Sequence, residues 1–448
     1  MFSRVLVANR GEVAVRVIRA LHELGCEAVA VYSTADEDAT FVRMADRALR
    51  IGPPPAAQSY LRIPSLIAAA TTTGCEAVHP GWGFLAENPA FVRACDENEL
   101  VFVGPTPDVM ARMGDKAQAK RELRDAGVPL VPGTEGTATI EQARAAAGEL
   151  GLPVLLKAAA GGGGKGMRLV ESLDELEDAF GSAAAEAQAA FGDPALYVEK
   201  VVNPARHVEV QVLADAAEGV LTLGERECSI QRRHQKLIEE SPSPALAPAA
   251  REEMEAAAER AARMIGYRNA GTFEFLIGPD GSFYFIELNA RLQVEHPVSE
   301  MCTGIDIVRE QLRIAAGEPL SVSGRAPRRG HAIEFRINAE DPQRNFTPAP
   351  GTIRRFRPPL GPGVRVDTAI EDGAVVPPYY DSLIAKLIVW DTDRAGAIAR
   401  SVRALGELEV EGVPTTRETA LEILRTDEFV SGDYSTAFLE ERYAGVAR

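Results

Sequence analysis

The apolar and polar positions in roughly the first hundred residues alternate between two periods. Short apolar runs predict strands, and the segments between them repeat apolar residues every three or four positions, which predicts amphipathic helices. The pattern gives strands at residues 4–8, 28–32, 76–79 and 100–103, and helices at 12–24 and 65–73. Strands joined by helices of this length indicate right-handed crossovers and a parallel sheet. The edge of this sheet that binds a ligand is expected at the carboxyl ends of the strands, where the loops that begin at Asn9 and His79 lie.

The rest of the chain predicts a second α/β segment and then a mainly β segment. A hairpin is expected at 271–277 and 282–289, because Pro279-Asp280-Gly281 between them is typical of a turn. The other predicted elements are strands at 153–157, 167–170, 196–201 and 207–214, helices at 115–126, 173–191 and 248–265, a linker at 324–330, a mainly β stretch at 331–389 and a helical tail after residue 393.

Composition narrows the class of protein. The 448 residues include 48 Lys and Arg against 65 Asp and Glu, for a formal net charge of −17, and 46% are hydrophobic. These values are typical of a globular protein of several domains and exclude disordered, collagen-like and coiled-coil chains. An acidic chain repels phosphate backbones, so we expect no nucleic-acid partner. No apolar run approaches the roughly 18 residues of a membrane span and the N-terminus has no signal-peptide pattern, so we expect a cytoplasmic protein outside the membrane.

Four consecutive glycines, residues 161–164, follow the predicted strand that ends at Lys157. Glycines let backbone N–H groups approach an anion without a Cβ in the way, which favours a flexible phosphate lid. The run is not a Walker motif, because Ala159 and Gly166 stand where that motif needs Gly and Ser or Thr. A plain linker is the alternative. Lys157 favours the nucleotide, since lysines are rarely placed on buried strands without a charged partner.

The hairpin contains the clearest candidate for a metal site. With the turn near Gly281, Glu274 and Glu287 are expected opposite each other, unless a bulge shifts the register. Strict alternation places Phe285, Glu287 and Asn289 on one face of the second strand. Two facing carboxylates repel, and a divalent cation reverses the sign of that interaction. Mg²⁺ prefers one or two carboxylates together with substrate phosphates, so this pair with Asn289 is a candidate site. Exposed charges on an amphipathic hairpin are the alternative.

Arg291, Gln293 and Glu295 follow the hairpin at alternate positions. In an extended chain they share a face, which brings a guanidinium, an amide and a carboxylate side by side. A carboxylate beside a guanidinium stays ionised and can act as a general base. A surface row of salt bridges is the alternative.

Two further segments concentrate charge. Residues 227–236 group cationic and amide side chains in an otherwise acidic chain, and a solvated face is the alternative to a binding role. Within 332–340, alternate apolar residues are expected to face a core, so that Arg336 shares the other face with Glu334 and Asn338. From the residues alone, this pattern is that of an ordinary strand, and a functional role for Arg336 is the less favoured interpretation.

Together these residues resemble the ATP-grasp enzymes, and specifically biotin carboxylase, the ATP- and bicarbonate-dependent component of biotin-dependent carboxylases such as acetyl-CoA carboxylase. The resembling strings occur in order along nearly the whole chain, at residues 8–12, 79–88, 113–116, 227–236, 287–297, 336–342 and 377–382. The resemblance implies an α/β fold in three parts. These are a Rossmann-like, pre-ATP-grasp domain with a parallel sheet at 1–113, an ATP-grasp domain at 114–330 with a mobile glycine-rich lid subdomain at about 131–203, and a mainly β C-terminal domain at 331–448.

The resemblance also implies roles for individual residues. Residues implied to bind ATP are Lys116, Lys157, Gly161, Gly162, Gly163 and Gly164 around the phosphates, Glu199 and Lys200 at the adenine, and His207, Gln231 and His234 near the ribose and phosphates. Residues implied to bind Mg²⁺ (or Mn²⁺) are Glu274, Glu287 and Asn289. Bicarbonate is implied to lie among Lys236, Arg291, Gln293, the Val294 backbone and the general base Glu295, and Arg336 to stabilise the biotin enolate.

The implied reaction is attack of bicarbonate on the γ-phosphorus of ATP, which gives carboxyphosphate and ADP, followed by carboxylation of biotin. The chain ends at Arg448 without an Ala-Met-Lys-Met biotinylation site, so we expect biotin on a separate biotin carboxyl carrier protein. The resemblance also implies that the chain associates with a carboxyltransferase subunit and that two copies of the chain form a homodimer. The sequence departs from the family at Ala160 and Lys165 in the lid and at Trp82, where Tyr is more usual. Two other functions stay open, namely another ATP-grasp ligase of the carboxylate-amine or carbamoyl-phosphate type and a non-catalytic nucleotide-binding scaffold.

Overall fold

A computed structural model describes residues 1–114, 116–159, 166–233 and 235–443, with the backbone alone at residues 116 and 117. The predicted ATP ligands Gly161, Gly162, Gly163, Gly164 and His234, and the side chain of Lys116, lie outside what the structure describes.

The N-terminal part of the chain forms the predicted parallel sheet. Its elements are β1 (Arg4–Val7), α1 (Gly11–Glu23), β2 (Glu27–Ser33), α2 (Thr40–Met44), β3 (Arg47–Gly52), α3 (Ile63–Thr73), β4 (Ala77–His79), α4 (Pro89–Glu97), β5 (Val101–Phe102) and α5 (Pro107–Gly114). Five strands pair in parallel in the order β3-β2-β1-β4-β5. The apolar pattern misses β3, because this edge strand is largely solvent-accessible and includes Arg47 and Arg50.

The middle part of the chain contains a small three-stranded sheet and most of a large one. Its elements are α6 (Lys116–Asp125), α7 (Ile140–Leu150), β6 (Val154–Ala158), β7 (Met167–Val170), α8 (Leu176–Phe191), β8 (Leu196–Lys200), β9 (Arg206–Ala214), β10 (Val220–Arg232), β11 (Gln235–Ser241), α9 (Pro248–Ile265), β12 (Asn269–Ile277), β13 (Phe283–Asn289), α10 (His296–Thr303) and α11 (Ile307–Ala315). The small sheet has the order β7-β6-β8 and lies within the range expected for the lid. In the charged segment, residues 227–232 belong to β10 and residues 235–236 to β11, and the two strands pair antiparallel.

The C-terminal part extends the large sheet. Its elements are β14 (His331–Asn338), β15 (Glu340–Asp341), β16 (Thr347–Pro348), β17 (Gly351–Thr352), β18 (Arg355–Arg357), β19 (Val364–Thr368), β20 (Val375–Val376), β21 (Leu383–Asp391), α12 (Arg394–Glu407), β22 (Glu409–Glu411), α13 (Arg417–Ile423), α14 (Asp427–Ser431) and α15 (Phe438–Tyr443). Eight strands form one sheet in the order β13-β12-β9-β10-β11-β14-β21-β19. The expected domain boundary at residue 331 therefore falls between neighbouring strands of a single sheet.

The hairpin of β12 and β13 has the expected register at the site and a bulge beside it. Glu274 pairs with Glu287, as predicted, but Phe275 pairs with Phe285, so that Ile286 is one residue extra. The prediction that Phe285 and Glu287 share a face was wrong. Phe285 packs into the core, whereas Glu287 lines the cleft, because the extra residue reverses the alternation. The bulge thereby gives one short strand both an apolar face and a carboxylate opposite Glu274.

Helices cover the apolar faces of the sheets. Side chains of α9, such as Met254, belong to the same apolar core as Phe273 of β12, and Leu405 of α12 belongs to the same core as Phe335 of β14. Phe335 confirms that the apolar residues of β14 face the core. Within the described ranges, the helices are too short or too polar to cross a lipid bilayer.

Candidate active site

A cleft of about 670 Å³ between the lid strands and the large sheet gathers most of the predicted site residues. Alternate side chains of a strand point to the same face, so neighbouring strands stack polar residues on the cleft side while their apolar residues fill the core. The predicted residues that line the cleft are Lys157, His207, Gln231, Lys236, Glu274, Glu287, Asn289, Arg291, Gln293, Val294 and Arg336.

Lys236 of β11 is the central cation of the site. Its Nζ lies 2.6 Å from Glu209 Oε2, 2.9 Å from Glu274 Oε1 and 2.7 Å from Glu295 Oε1. Burial lowers the pKa of Lys236, but the three carboxylates outweigh it and raise the pKa well above its usual value. Lys236 is therefore charged, and it holds together carboxylates that come from three separate segments of the chain.

Glu295 is fully buried between two cations. Lys236 donates to its Oε1, and Arg336 Nη2 donates to its Oε2 at 2.8 Å. Burial raises the pKa of Glu295, but Lys236 and Arg336 outweigh it and hold the pKa well below its usual range. The carboxylate is ionised at neutral pH, which a general base requires before it can accept a proton.

Arg336 is held on its other side by a second buried carboxylate. Its Nε donates to Glu239 Oε1 at 2.6 Å. Burial raises the pKa of Glu239 to about 7, although Arg336 opposes that rise. Glu334 is the cross-strand partner of Glu239, and burial raises the pKa of Glu334 well above its usual value. Glu334 therefore ionises less readily than a free carboxyl. Arg336 keeps a positive charge at the edge of the cleft, because a guanidinium is always protonated.

Arg291 is oriented by contacts on three sides. Its Nε donates to Glu87 Oε2 at 2.8 Å, and its Nη2 donates to Asn289 Oδ1 at 2.9 Å. The Nη1 group is 3.3 Å from Gln293 Oε1. The predicted meeting of Arg291 and Gln293 is therefore present.

These residues meet in a turn, however, and not along an extended chain. Residues 290–295, which we call the 290–295 turn, connect β13 to α10. His296 Nδ1 is 2.6 Å from the Gln293 carbonyl. Burial lowers the pKa of His296 well below its usual value, so the ring is neutral and Nδ1–H donates to that carbonyl. The turn rotates Glu295 away from the cleft surface and places it between Lys236 and Arg336.

The facing carboxylates of the hairpin fit a magnesium site. Glu274 and Glu287 are cross-strand partners, so their Cβ atoms are about 5 Å apart, and both line the cleft. Asn289 Nδ2 donates to Glu274 Oε1 at 2.9 Å. Burial raises the pKa of Glu274, but Lys236 and His207 hold it well below its usual range, so the carboxylate is ionised. Carboxylate and amide oxygens beside a space for phosphates are what Mg²⁺ prefers.

A second acidic group lies next to this pair. Ligand atoms of His207, Glu209 and Glu274 lie within 4.8 Å of one another. Glu209 accepts hydrogen bonds from two cations, Lys236 and Arg226, and does not line the cleft. Glu287 does line the cleft, so the geometry favours Glu287 over Glu209 as the carboxylate that joins Glu274 at the cation.

Lys157 of β6 has the charged partner that its position requires. Its Nζ donates to Glu199 Oε2 at 2.8 Å, and Lys120 of α6 also pairs with Glu199. Burial lowers the pKa of Lys157, but Glu199 outweighs it and raises the pKa. The Glu199 side chain is therefore engaged by two lysines, and the exposed Lys200 is not among the residues that line the cleft. An adenine contact for either residue stays a prediction.

Sequence reasoning missed several residues that orient the predicted ones. Glu209 contacts Lys236, and the fully buried Arg226 donates to Glu209 at 2.5 Å and to Gln211 at 2.8 Å. Sequence reasoning also missed Glu239, which accepts a hydrogen bond from Arg336. The available signal was a charged or amide residue at every second position of an otherwise apolar strand, as at Glu209 and Gln211 in β9.

Comparisons with known proteins agree with this geometry. Family models match over most of the chain: "Biotin carboxylase, N-terminal domain" at residues 1–110, "Carbamoyl-phosphate synthase L chain, ATP binding domain" at 115–323 and "Biotin carboxylase C-terminal domain" at 334–441. A biotin carboxylase from Nostoc sp. is 52% identical over 98% of this chain and 99% of its own length. A pyruvate carboxylase subunit from Methanothermobacter thermautotrophicus is 51% identical over 100% of this chain and 91% of its own length.

A solved structure is similar over the whole length. The biotin carboxylase domain dimer of Hydrogenobacter thermophilus 2-oxoglutarate carboxylase, in complex with MgADP, ADP and bicarbonate, has a TM-score of 0.94 and 48% identity. The alignment covers 100% of this chain and 98% of the other.

The ATP-binding match spans the lid strands and the carboxylate pair, so the chain is an ATP-grasp enzyme, an ATP-dependent ligase. The two flanking matches narrow that class, since both are domains of one kind of enzyme. The chain belongs to the biotin carboxylase family, whose half-reaction is the ATP-dependent carboxylation of biotin. The expected fold class is thereby confirmed as well.

Proposed function

We propose that this chain uses ATP and bicarbonate to carboxylate biotin on a separate biotin carboxyl carrier protein, as the first half-reaction of an acetyl-CoA or other acyl-CoA carboxylase. The observation that carries the proposal is the buried Glu295, whose two carboxylate oxygens are held by Lys236 and Arg336. A ligase for amines or carboxylic acids has no need of a base enclosed between two cations at this place.

The 290–295 turn supports a bicarbonate site. Arg291, Gln293 and the Val294 backbone line the cleft beside Lys236. Glu295 would accept the bicarbonate proton, and the same cations that lower its pKa would stabilise the doubly charged anion that remains. The deprotonated oxygen would then be the nucleophile.

Phosphoryl transfer mainly requires positioning and charge neutralisation. Lys157, the lid glycines 161–164, Lys116, His207, Gln231 and His234 are the proposed contacts of the nucleotide, with Glu199 and Lys200 toward the adenine. Mg²⁺ held by Glu274, Glu287 and Asn289 would supply positive charge at the phosphates. The bicarbonate oxygen bonds to the γ-phosphorus as the bond to ADP breaks, which gives carboxyphosphate and ADP.

Arg336 is the proposed partner of biotin. Carboxyphosphate decomposes to CO₂ and phosphate, and the phosphate removes the proton of the ureido nitrogen, which attacks CO₂. Negative charge develops on the ureido oxygen, and a guanidinium that is always charged and planar suits that task. Arg336 lines the cleft beside Glu295, next to the proposed bicarbonate site.

The final acceptor is the finer part of the proposal. Similar proteins are named for different acceptors, such as pyruvate and 2-oxoglutarate, and also simply as biotin carboxylase. We propose acetyl-CoA or another acyl-CoA for this chain, together with a partner carboxyltransferase subunit, a homodimer and a cytoplasmic location. The domain limits 1–113, 114–330 and 331–448 are supported by family matches that fall close to them, at 1–110, 115–323 and 334–441.

The half-reaction is tested by measuring ADP and carboxybiotin with the purified chain, MgATP, bicarbonate and free biotin. ATP hydrolysis should require bicarbonate and rise with biotin. A ligase would instead require an amine or a carboxylic acid, and a scaffold would bind nucleotide without turnover. Glu295→Gln should abolish carboxylation while ATP binding remains measurable. Glu97→Gln, the same change at an exposed position of α4, is the matched control.

The acceptor is tested with biotinylated carrier proteins taken from an acyl-CoA carboxylase and from a pyruvate carboxylase. We expect kcat/KM for the acyl-CoA carrier to exceed that for the pyruvate carrier by about tenfold or more, equivalent to about 1.4 kcal/mol. Equal values, or a preference for the pyruvate carrier, contradict this part of the proposal and leave the half-reaction intact.

A further inference from the structure

Lys386 is a charged residue in the interior of the protein that the proposed reaction does not use. It lies on β21, its side chain is fully buried, and its cross-strand partner is Arg336 on β14. Its Nζ donates to the Val294 carbonyl at 2.9 Å. One lysine of the C-terminal segment therefore contacts the backbone of the 290–295 turn.

The charge of Lys386 is balanced by carboxylates from other parts of the chain, which are Glu12, Glu334 and Asp367 in order of their effect. Its Nζ is 3.3 Å from Glu12 Oε2 on α1 and 3.7 Å from Asp367 Oδ2 on β19. Burial lowers the pKa of Lys386, but Glu12 is the main group that opposes this, and the net effect raises the pKa. Asp367 has its own partner, since Arg365 donates to both of its oxygens, at 2.8 and 2.7 Å.

Glu12 is held in place independently of Lys386. Its Oε1 accepts a hydrogen bond from Trp82 Nε1 at 2.9 Å, and Trp82 lines the cleft. The contacts therefore run from the cleft wall through Glu12 and Lys386 to the Val294 carbonyl. Each step joins a different segment of the chain, so the position of the 290–295 turn depends on all three parts of the protein.

The 290–295 turn has no strand pairing, and the backbone hydrogen bonds to its Gln293 and Glu295 carbonyls are long, at 3.4 and 3.3 Å, so side chains contribute to fixing it. His296 holds the Gln293 carbonyl and Lys386 holds the next carbonyl, that of Val294. A peptide is planar, so fixing the Val294 carbonyl also sets the plane of the N–H of Glu295 and limits how both neighbouring side chains can turn. A displacement of about 1 Å in the groups that position an anion for reaction can lower the rate by about 100-fold.

We propose that Lys386 is a positioning residue for bicarbonate: by holding the Val294 carbonyl, it sets the orientation of the Val294 backbone and of Glu295 in the 290–295 turn. This inference rests on the proposed function, because it assigns the turn to bicarbonate. Lys386 does not line the cleft, so its effect is transmitted through the peptide and not through contact with substrate.

The first test is Lys386→Met, which keeps the length of the side chain and removes the donor. Because a charge-assisted hydrogen bond is lost, the KM for bicarbonate should rise by about 10- to 100-fold. The KM for ATP should change by less than about twofold, because the nucleotide residues lie on other strands. If Lys386 had a purely structural role, Lys386→Met would lower the melting temperature, and the KM for bicarbonate would rise no more than the KM for ATP. Arg394→Met is the matched control, since Arg394 also pairs with a buried carboxylate, Glu240, at 2.7 Å but does not contact the turn.

The second test removes the partner charge as well. In Glu12→Gln/Lys386→Met no carboxylate is left at position 12, and Asp367 keeps Arg365. Glu334, whose pKa burial raises well above its usual value, can take up a proton when Lys386 is lost. We expect stability to recover relative to Lys386→Met while the KM for bicarbonate stays raised. If the KM also recovers, Lys386 only neutralises Glu12 and the inference is wrong. Failure of the double variant to fold likewise assigns Lys386 to stability and overturns the inference.

The two proposals fail differently. If the unmodified chain shows no bicarbonate-dependent ATP hydrolysis with free biotin, the proposed function is wrong. If the unmodified chain is active and Lys386→Met has an unchanged KM for bicarbonate, only the inference about Lys386 is wrong.

Discussion

Replacing Arg336 by methionine would remove the guanidinium that lies between Glu239 and Glu295. Its Nε and Nη2 donate to these two carboxylates at 2.6 and 2.8 Å. If Arg336 stabilises negative charge on the biotin ureido oxygen, loss of one preorganised donor should cost about 3–4 kcal/mol in the transition state. The rate of biotin carboxylation should then fall by about 100- to 1000-fold.

The bicarbonate step should be affected much less. Lys236 and Arg336 both lower the pKa of Glu295, and Lys236 has the larger effect. Lys236 remains in the variant, with its Nζ 2.7 Å from Glu295 Oε1. Glu295 should therefore stay ionised at neutral pH. Slow bicarbonate-dependent ATP hydrolysis without biotin should therefore persist within about tenfold of the rate of the unmodified enzyme. A tenfold change in rate corresponds to about 1.4 kcal/mol in the activation barrier.

Stability should fall as well, since Glu239 loses its partner. Breaking a buried pair costs about 3–5 kcal/mol when the remaining charge cannot be neutralised. Burial already raises the pKa of Glu239 to about 7, so this carboxyl can take up a proton, and the loss should lie at the low end of that range. A melting curve of Arg336→Met measures this contribution separately from the rate.

The assay compares ADP release with and without free biotin and measures carboxybiotin in the same samples. Arg232→Met is the control, because Arg232 stacks on Phe346 at 4.6 Å outside the predicted catalytic set. Carboxylation at the rate of the unmodified enzyme would refute the role of Arg336. Equal loss of the biotin-independent reaction would show that Arg336 acts on bicarbonate or on the fold instead.

Three further predictions follow from individual contacts. Glu287→Gln should raise the Mg²⁺ concentration needed for half-maximal ATP hydrolysis by about tenfold or more, since one carboxylate ligand is lost; an unchanged Mg²⁺ titration would contradict the metal site. Lys157→Met should raise the KM for ATP by about 10- to 100-fold through loss of a charged donor, and an unaltered KM would remove Lys157 from the nucleotide site. Burial raises the pKa of Glu240, but hydrogen bonds from His331 and Arg394 outweigh it and lower the pKa to about 2, against 4.5 in the unfolded chain. The stability that Glu240 contributes is therefore present above pH 4.5 and lost as the pH falls toward 2. Urea denaturation of Glu240→Gln should show a loss of about 3 kcal/mol at pH 6 that shrinks over that window, and a pH-independent difference would show that the pKa is not the cause.

Much of the candidate site was predictable because it lies within short segments. The register that sets Glu274 opposite Glu287 follows from the turn between them and is confirmed. The bulge at Ile286 was not predictable, because an apolar residue at that place fits the alternation equally well with or without it. Only the packing of Phe285 into the core decides which face Glu287 takes.

The amino-acid sequence by itself determined the parallel N-terminal sheet, the hairpin and the order of the motifs, because each depends on periodicity or turn chemistry within a few tens of residues. The tertiary structure alone decided which charges meet. Lys236, Glu295 and Arg336 come from segments tens of residues apart, and they are joined because β11 and β14 are neighbours in one sheet and the 290–295 turn packs over both. Such contacts depend on how distant strands pair and on the free-energy cost of burying a charge without a partner. Neither can be derived from the residues of one short segment.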